Sequence, residues 1–136
     1  MVKDIVKDDE FLAVPSTDVT IADLSKVEDL IDTFNAHKEE CSGLAGNMIG
    51  YQKNMIIVEY KNSYLVLLNP KIIKQSVMYK TTEGCLSHEG EKECKRYQHI
   101  KVTFQDVNFK KFTKDFDGYT AEVVQHEIDH LKGILI

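Results

Sequence analysis

His126, Glu127 and His130 fall in the run Gln125-His-Glu-Ile-Asp-His130, near the C-terminus. The pattern is H-E-x-x-H. On an α-helix, residues four apart stand one turn above each other on a shared face. Two imidazoles so placed can hold one metal ion, and a carboxylate beside the first can reach a water on that ion. Those parts suffice for metal-assisted hydrolysis. At about 100° per residue the three side chains span an arc of about 100°, opposite Ala121, Val124, Ile128 and Leu131. A helix with a core face and a solvated polar face obeys the same arithmetic. Spacing alone does not decide between the two readings.

A zinc-type catalytic site needs a third protein ligand and an open position for water. The best candidate lies upstream, in Glu83-Gly-Cys-Leu-Ser87. Gly84 lets the backbone turn tightly beside Cys85. A metal would hold Cys85 as thiolate. The competing reading of Cys85 is a small buried hydrophobe. Cys41 and Cys94 then read as free thiols, with a bridge between them as the alternative.

Two helices and several strands must position these residues. Leu24, Val27, Leu30, Ile31 and Phe34 recur at helical spacing and predict a helix over about 23–38 with a core stripe. Ser25 with Glu28 resembles a capping box, and Thr20 offers an earlier start. Gly43 to Gly50 forms a Gly-rich loop. No Lys follows it at Walker spacing, which removes a phosphate-cradling role. Residues 55–60 and 64–68 read as a hairpin turning at 61–63, with Pro70 ending the second strand. Residues 71–79 suit a third strand, and 97–105 with 109–116 another pair. The motif helix spans about 119–132, and residues 1–19 read as an irregular arm. Strands bracketed by helices indicate an α+β fold, with antiparallel or mixed sheets around the C-terminal helix.

The 136 residues are 43% hydrophobic, with two Pro and seven Gly, which fits a single domain over 1–136. The net charge of −5, without a basic stripe, argues against nucleic-acid binding. Apolar runs are too short to cross a membrane, and the start Met1-Val-Lys-Asp lacks the apolar core of a signal peptide.

Taken together, the motifs resemble those of the peptide deformylase family: G-x-G-x-A-A-x-Q, E-G-C-x-S and Q-H-E-x-D-H. The second stands intact as Glu83 to Ser87 and the third as Gln125 to His130. The first is altered. Gly43, Leu44, Ala45 and Gly50 match, whereas Cys41 replaces the first Gly, Gly46 the second Ala and Met48 the Gln. The resemblance spans about residues 5 to 136. It implies a deformylase-like α+β fold and a metal held by Cys85, His126 and His130. The metal would be Fe²⁺ in cells, with Zn²⁺, Ni²⁺ or Co²⁺ able to replace it. It implies removal of the formyl group from N-formylmethionyl nascent peptides near the ribosome, in a bacterial cytoplasm. Glu127 acts as general base and acid, and the Leu86 backbone N–H stabilises the oxyanion. Ser42, Gly43, Leu44, Met48, Gly84 and Val123 fall where the family binds substrate, as does Tyr119. Glu122 falls near the methionine pocket, where an apolar residue suits better. Glu83 could pair with Arg96. Asp129 orients a ligand His or is solvated, and His88 reads as a surface residue rather than a fourth ligand.

Met48 is the main departure. The family Gln donates an amide N–H to the oxyanion, and a thioether cannot donate. Loss of such a donor costs roughly 10²–10³ in turnover. Asn47, turned inward, could supply a replacement. The alternative is a deformylase-like protein that keeps the metal with little or no activity. A metallopeptidase cutting internal bonds, and a structural site closed by Cys94 or His88, are the further readings.

Overall fold

The structure is a computed structural model and describes residues 1–135. A one-turn helix α1 (Asp9–Leu12) interrupts the N-terminal arm. A 3₁₀ turn at Ile21–Asp23 leads into α2 (Leu24–His37). The cap expected at Ser25 and Glu28 is not the one used. Asp23 instead accepts the Thr20 backbone N–H at 2.9 Å, so the earlier start at Thr20 is correct. After α2 come β1 (Gly43–Ala45), a 3₁₀ turn at Gly46–Ile49, β2 (Met55–Tyr60), β3 (Ser63–Cys85), β4 (His88–Gln105), β5 (Lys111–Asp117) and α3 (Gly118–Leu131).

The strands form one antiparallel sheet in the order β1-β2-β3-β4-β5. Pro70 does not end a strand. The segments expected at 64–68 and 71–79 join into β3, which continues to Cys85. The pairing with β4 shifts register between Leu68 and Lys71, so Pro70 sits in an irregularity where its missing N–H breaks no ladder bond. Asn69 takes a left-handed φ of 50° there. Its side chain exchanges hydrogen bonds with the Val19 backbone at 2.8 and 3.2 Å, tying the N-terminal arm to the sheet. β4 likewise begins well before residue 97. The two long strands make a hairpin whose tight end, Cys85 opposite His88, carries the Glu-Gly-Cys motif.

Met55 to Val58 of β2 are buried one after another, so both faces of this strand are covered. α2 packs on β1 and β2, while α3 packs on β1, β2, β4 and β5. The core joins Leu30 and Phe34 of α2, Ile56 and Ile57 of β2, Leu67 and Leu68 of β3, Val102 of β4, and Ala121, Val124 and Ile128 of α3. Burying each such side chain contributes roughly 1.5–3 kcal/mol. α3 closes with Gly133 at φ 80°, its N–H donating to the His130 carbonyl at 3.0 Å. A Cβ there would strike the Ala13 carbonyl, so the arm and the end of α3 fit only around glycine. Among the described residues no helix is long and apolar enough to cross a membrane.

Candidate metal centre

The H-E-x-x-H side chains are not on a solvated face. His126 is 7% exposed, Glu127 4% and His130 0%. α3 presents them to the end of the β3–β4 hairpin. There one ligand atom from each of Cys85, His126 and His130 lies within 4.8 Å of the others. Cys85 Sγ is 3.2 Å from His130 Nε2. In a tetrahedral site with metal–sulfur near 2.3 Å and metal–nitrogen near 2.1 Å, such donors lie roughly 3.6 Å apart. A thiolate and two imidazoles at this spacing therefore fit one divalent ion with little movement. Among the described residues no fourth ligand joins the group. His88, the candidate for that role, gives its Nε2 to Asp9 Oδ1 at 2.6 Å. All three cysteines are free thiols, so no Cys41–Cys94 bridge forms.

A buried ion-pair network holds the ligands from behind. His126 Nδ1 is 2.7 Å from Glu83 Oε1, which directs its Nε2 toward the cluster. Arg96 donates to both Glu83 oxygens, at 2.9 and 2.7 Å, and to Asp129 Oδ2 at 2.7 Å. Asp129 thus braces Arg96 rather than a ligand histidine. Burial works against the Glu83 charge, but His126 and Arg96 hold its carboxyl well below the usual range. Burial also opposes a charged His126, yet hydrogen bonds donated to Cys85 and Glu83 push it up to about 10 without metal. His130 goes the other way, down to about 3, through burial and then the charge of His126. Glu127 is pushed up to about 7, chiefly by burial.

Beside the cluster lies a cavity of about 520 Å³. Of the residues singled out from the sequence, Ser42, Gly43, Met48, Gly84, Cys85, Leu86, Val123, His126 and Glu127 line it. Leu44 does not. Its side chain is fully buried in the core, so only its backbone on β1 can meet a ligand. Gly43 comes so close to α3 that an added Cβ would lie 2.7 Å from Val123 Cγ1 and 2.9 Å from Glu127 Oε2. Met48 turns its sulfur to the Ala45 N–H at 3.4 Å. Asn47 does not replace the missing amide. It is fully buried and donates to the His130 carbonyl at 2.8 Å and the Leu12 carbonyl at 3.5 Å. Glu122 lines the cavity while accepting from the Tyr79 hydroxyl at 3.1 Å. The sequence reading passed over Glu40, Thr82 and Gly90, which also line it. Only their position beside the motifs could have marked them.

These features can be set beside known proteins. The family model for polypeptide deformylase matches residues 2–136. The chain belongs to the polypeptide deformylase family. It is 45% identical over 136 residues to a peptide deformylase of Clostridium beijerinckii, covering 100% of both chains. Its fold matches the crystal structure of a Thermotoga maritima peptide deformylase with TM-score 0.88 and 30% identity, over 99% of this chain and 95% of that one. It also matches a class I type b peptide deformylase of Acinetobacter baumannii bound to Met-Ala-Ser. There the TM-score is 0.88 and the identity 26%, over 99% of this chain and 97% of that one. The α+β fold and the antiparallel sheet packed on the H-E-x-x-H helix are thus those of the family. A catalytically silent relative finds no support in these likenesses.

Proposed function

We propose that this chain is a metal-dependent hydrolase that removes the formyl group from N-formylmethionine at the start of nascent proteins. The observation carrying this reading is the convergence of Cys85, His126 and His130 beside a buried, unpartnered Glu127 oxygen. A divalent ion bound by these three residues supplies Lewis acidity and an acidified water. Fe²⁺ is the ion we assign in cells, with Zn²⁺, Ni²⁺ and Co²⁺ as substitutes, since thiolate and imidazole accept each of them.

The remaining work falls to the chain itself. Glu127 takes a proton from the attacking water and returns it to the departing amine nitrogen. Burial pushes the carboxyl of Glu127 upward in the metal-free chain, which favours taking up a proton. The Leu86 backbone N–H supports the oxygen that gains charge. β1 is an edge strand, bonded on one side to β2, so its other edge can pair with an extended peptide through Gly43 and Leu44. That pairing places the peptide's first residue against Val123, Ser42 and Tyr119. The relative from Acinetobacter baumannii holds a Met-first tripeptide, which agrees with this substrate class. Substrates emerging from the ribosome and a cytoplasmic setting follow from the same reading.

The test is formate release from formyl-Met-Ala-Ser by iron-loaded protein under anaerobic conditions. Turnover that disappears in Glu127→Gln, with metal still bound, supports the reading. Equal turnover in that variant contradicts it.

A further inference from the structure

One wall of the cavity is a face of α3. Tyr119, Glu122, Val123, His126 and Glu127 recur there at helical spacing, and all five line it. Tyr119 is exposed at the mouth, while His126 is buried at the metal-binding end. Glu122 stands between them, one helical turn before His126, a rise of roughly 6 Å. The sheet fixes its carboxylate. The Tyr79 hydroxyl of β3 donates to Glu122 Oε1 at 3.1 Å. Among the described residues Tyr79 is its only hydrogen-bond donor. A carboxylate offers about four acceptor sites, so most of this one is left for another group.

No cation answers this charge. No Lys or Arg lines the cavity. Arg96, the buried guanidinium behind the metal ligands, is committed to Glu83 and Asp129. Glu122 is half-buried, and burial first, then Glu83, push its carboxyl up, as expected of a carboxyl short of a partner cation. Its position also coincides with part of the substrate. In a peptide on the free edge of β1 with its formyl group at the metal ligands, the first side chain begins three bonds from the formyl carbon, roughly 4 Å away. That side chain meets Val123 and Tyr119. Glu122 adjoins both on the same face of α3, so its carboxylate borders the space the side chain fills.

We propose that Glu122 is a specificity-determining residue that opens the cavity to formyl peptides whose first side chain ends in a hydrogen-bond donor, lysine foremost, as well as to formyl-methionyl ones. This role rests on the hydrolytic reading above. Tyr79 occupies one carboxylate oxygen, and the other receives the ammonium of the substrate. Methionine has no donor to give, and the carboxylate denies its side chain apolar surface. An apolar side chain in place of Glu122 reverses the preference. Glu122 takes no part in the proton transfers assigned to Glu127.

The experiment measures kcat and KM of the parent, Glu122→Leu and Glu122→Gln on formyl-Met-Ala-Ser and formyl-Lys-Ala-Ser. The kcat/KM ratio of the methionine peptide to the lysine peptide should rise at least about tenfold in Glu122→Leu, chiefly through KM. Glu122→Gln keeps the size and removes the charge, so its ratio should lie between those of the parent and Glu122→Leu. Added salt should raise KM for the lysine peptide in the parent and not in Glu122→Leu. Melting temperatures separate these effects from misfolding, and Glu122→Gln carries the test alone if the leucine variant does not fold. A readout independent of turnover is calorimetric binding of both peptides to zinc-loaded Glu127→Gln and Glu122→Leu/Glu127→Gln, where the same shift in the ratio of affinities is expected. An unchanged ratio in a stably folded variant overturns the proposal. If the parent releases no formate from either peptide, the hydrolytic reading fails and the affinities decide on Glu122: a shifted ratio sustains its role, and an unshifted one overturns it.

Discussion

Gly43→Ala offers a sharp perturbation because the structure separates its effect on folding from its effect on chemistry. The new Cβ would lie 2.7 Å from Val123 Cγ1, 2.9 Å from Glu127 Oε2 and 3.1 Å from Glu127 Cγ. Ordinary carbon contacts lie near 3.5–4.0 Å, so both side chains must retreat by roughly 1 Å. Overpacking of this kind costs about 1–3 kcal/mol, while the stiffer unfolded chain returns about 0.4–1 kcal/mol. A net loss of about 1–2 kcal/mol leaves the protein folded. A 1 Å displacement of Glu127 costs about 10²-fold in turnover. None of these three clashes touches Cys85, His126 or His130, so metal content should hold at one ion per chain. Adding Val123→Ala removes the Cγ1 clash alone. The double variant should regain most of the lost melting temperature and little of the lost kcat. Formate release, thermal unfolding and metal analysis on one preparation read all three quantities. Wild-type kcat in Gly43→Ala would refute the placement of Glu127 against β1.

Other consequences follow from the same geometry. Arg96→Met leaves Glu83 charged and buried without its two hydrogen bonds, and should destabilise the metal-free protein by about 3–5 kcal/mol in urea unfolding. Asn47→Ala removes a buried donor from the His130 carbonyl and should cost about 1–3 kcal/mol of stability. Its kcat at a temperature well below melting should stay at the parent value. Without metal, His126 keeps its proton up to about pH 10, so loading must displace that proton. Holding Cys85 as thiolate and His126 as neutral imidazole releases protons, so zinc affinity, read by competition with a chelator, should rise with pH from 6 to 8, by at least about tenfold per unit. A pH-independent affinity would contradict a protonated His126 in the metal-free protein. Asp23 is held down to about 2 by the Thr20 backbone N–H, so its contribution is present above pH 3.8 and fades as pH falls through about 2. The stability gap between parent and Asp23→Ala, about 1 kcal/mol at pH 7, should close over that window in urea titrations.

The candidate metal ligands were legible because their signal is local. His126 and His130 share a helix face by spacing alone, and Cys85 stands in a short intact motif. The Glu83–Arg96 pair could be guessed from charge. The hairpin carrying Cys85 could not, because Pro70 and the register shifts interrupt the pattern that normally reveals a strand. The direction of Asn47 was equally hidden. It is set by carbonyls of Leu12 and His130, which lie 35 and 83 residues away in sequence. Leu44 shows the same limit, since a motif match does not say which of backbone and side chain faces the cavity. The position of Cys41 was visible as a departure from the family pattern.

X-ray absorption at the metal edge of zinc-loaded protein tests the central claim most directly. One sulfur near 2.3 Å, two imidazole nitrogens near 2.0–2.1 Å and one exchangeable oxygen are the predicted shell. Loss of the sulfur signal in Cys85→Ala should accompany it. A shell without sulfur, or one closed by a fourth protein ligand, would contradict the account.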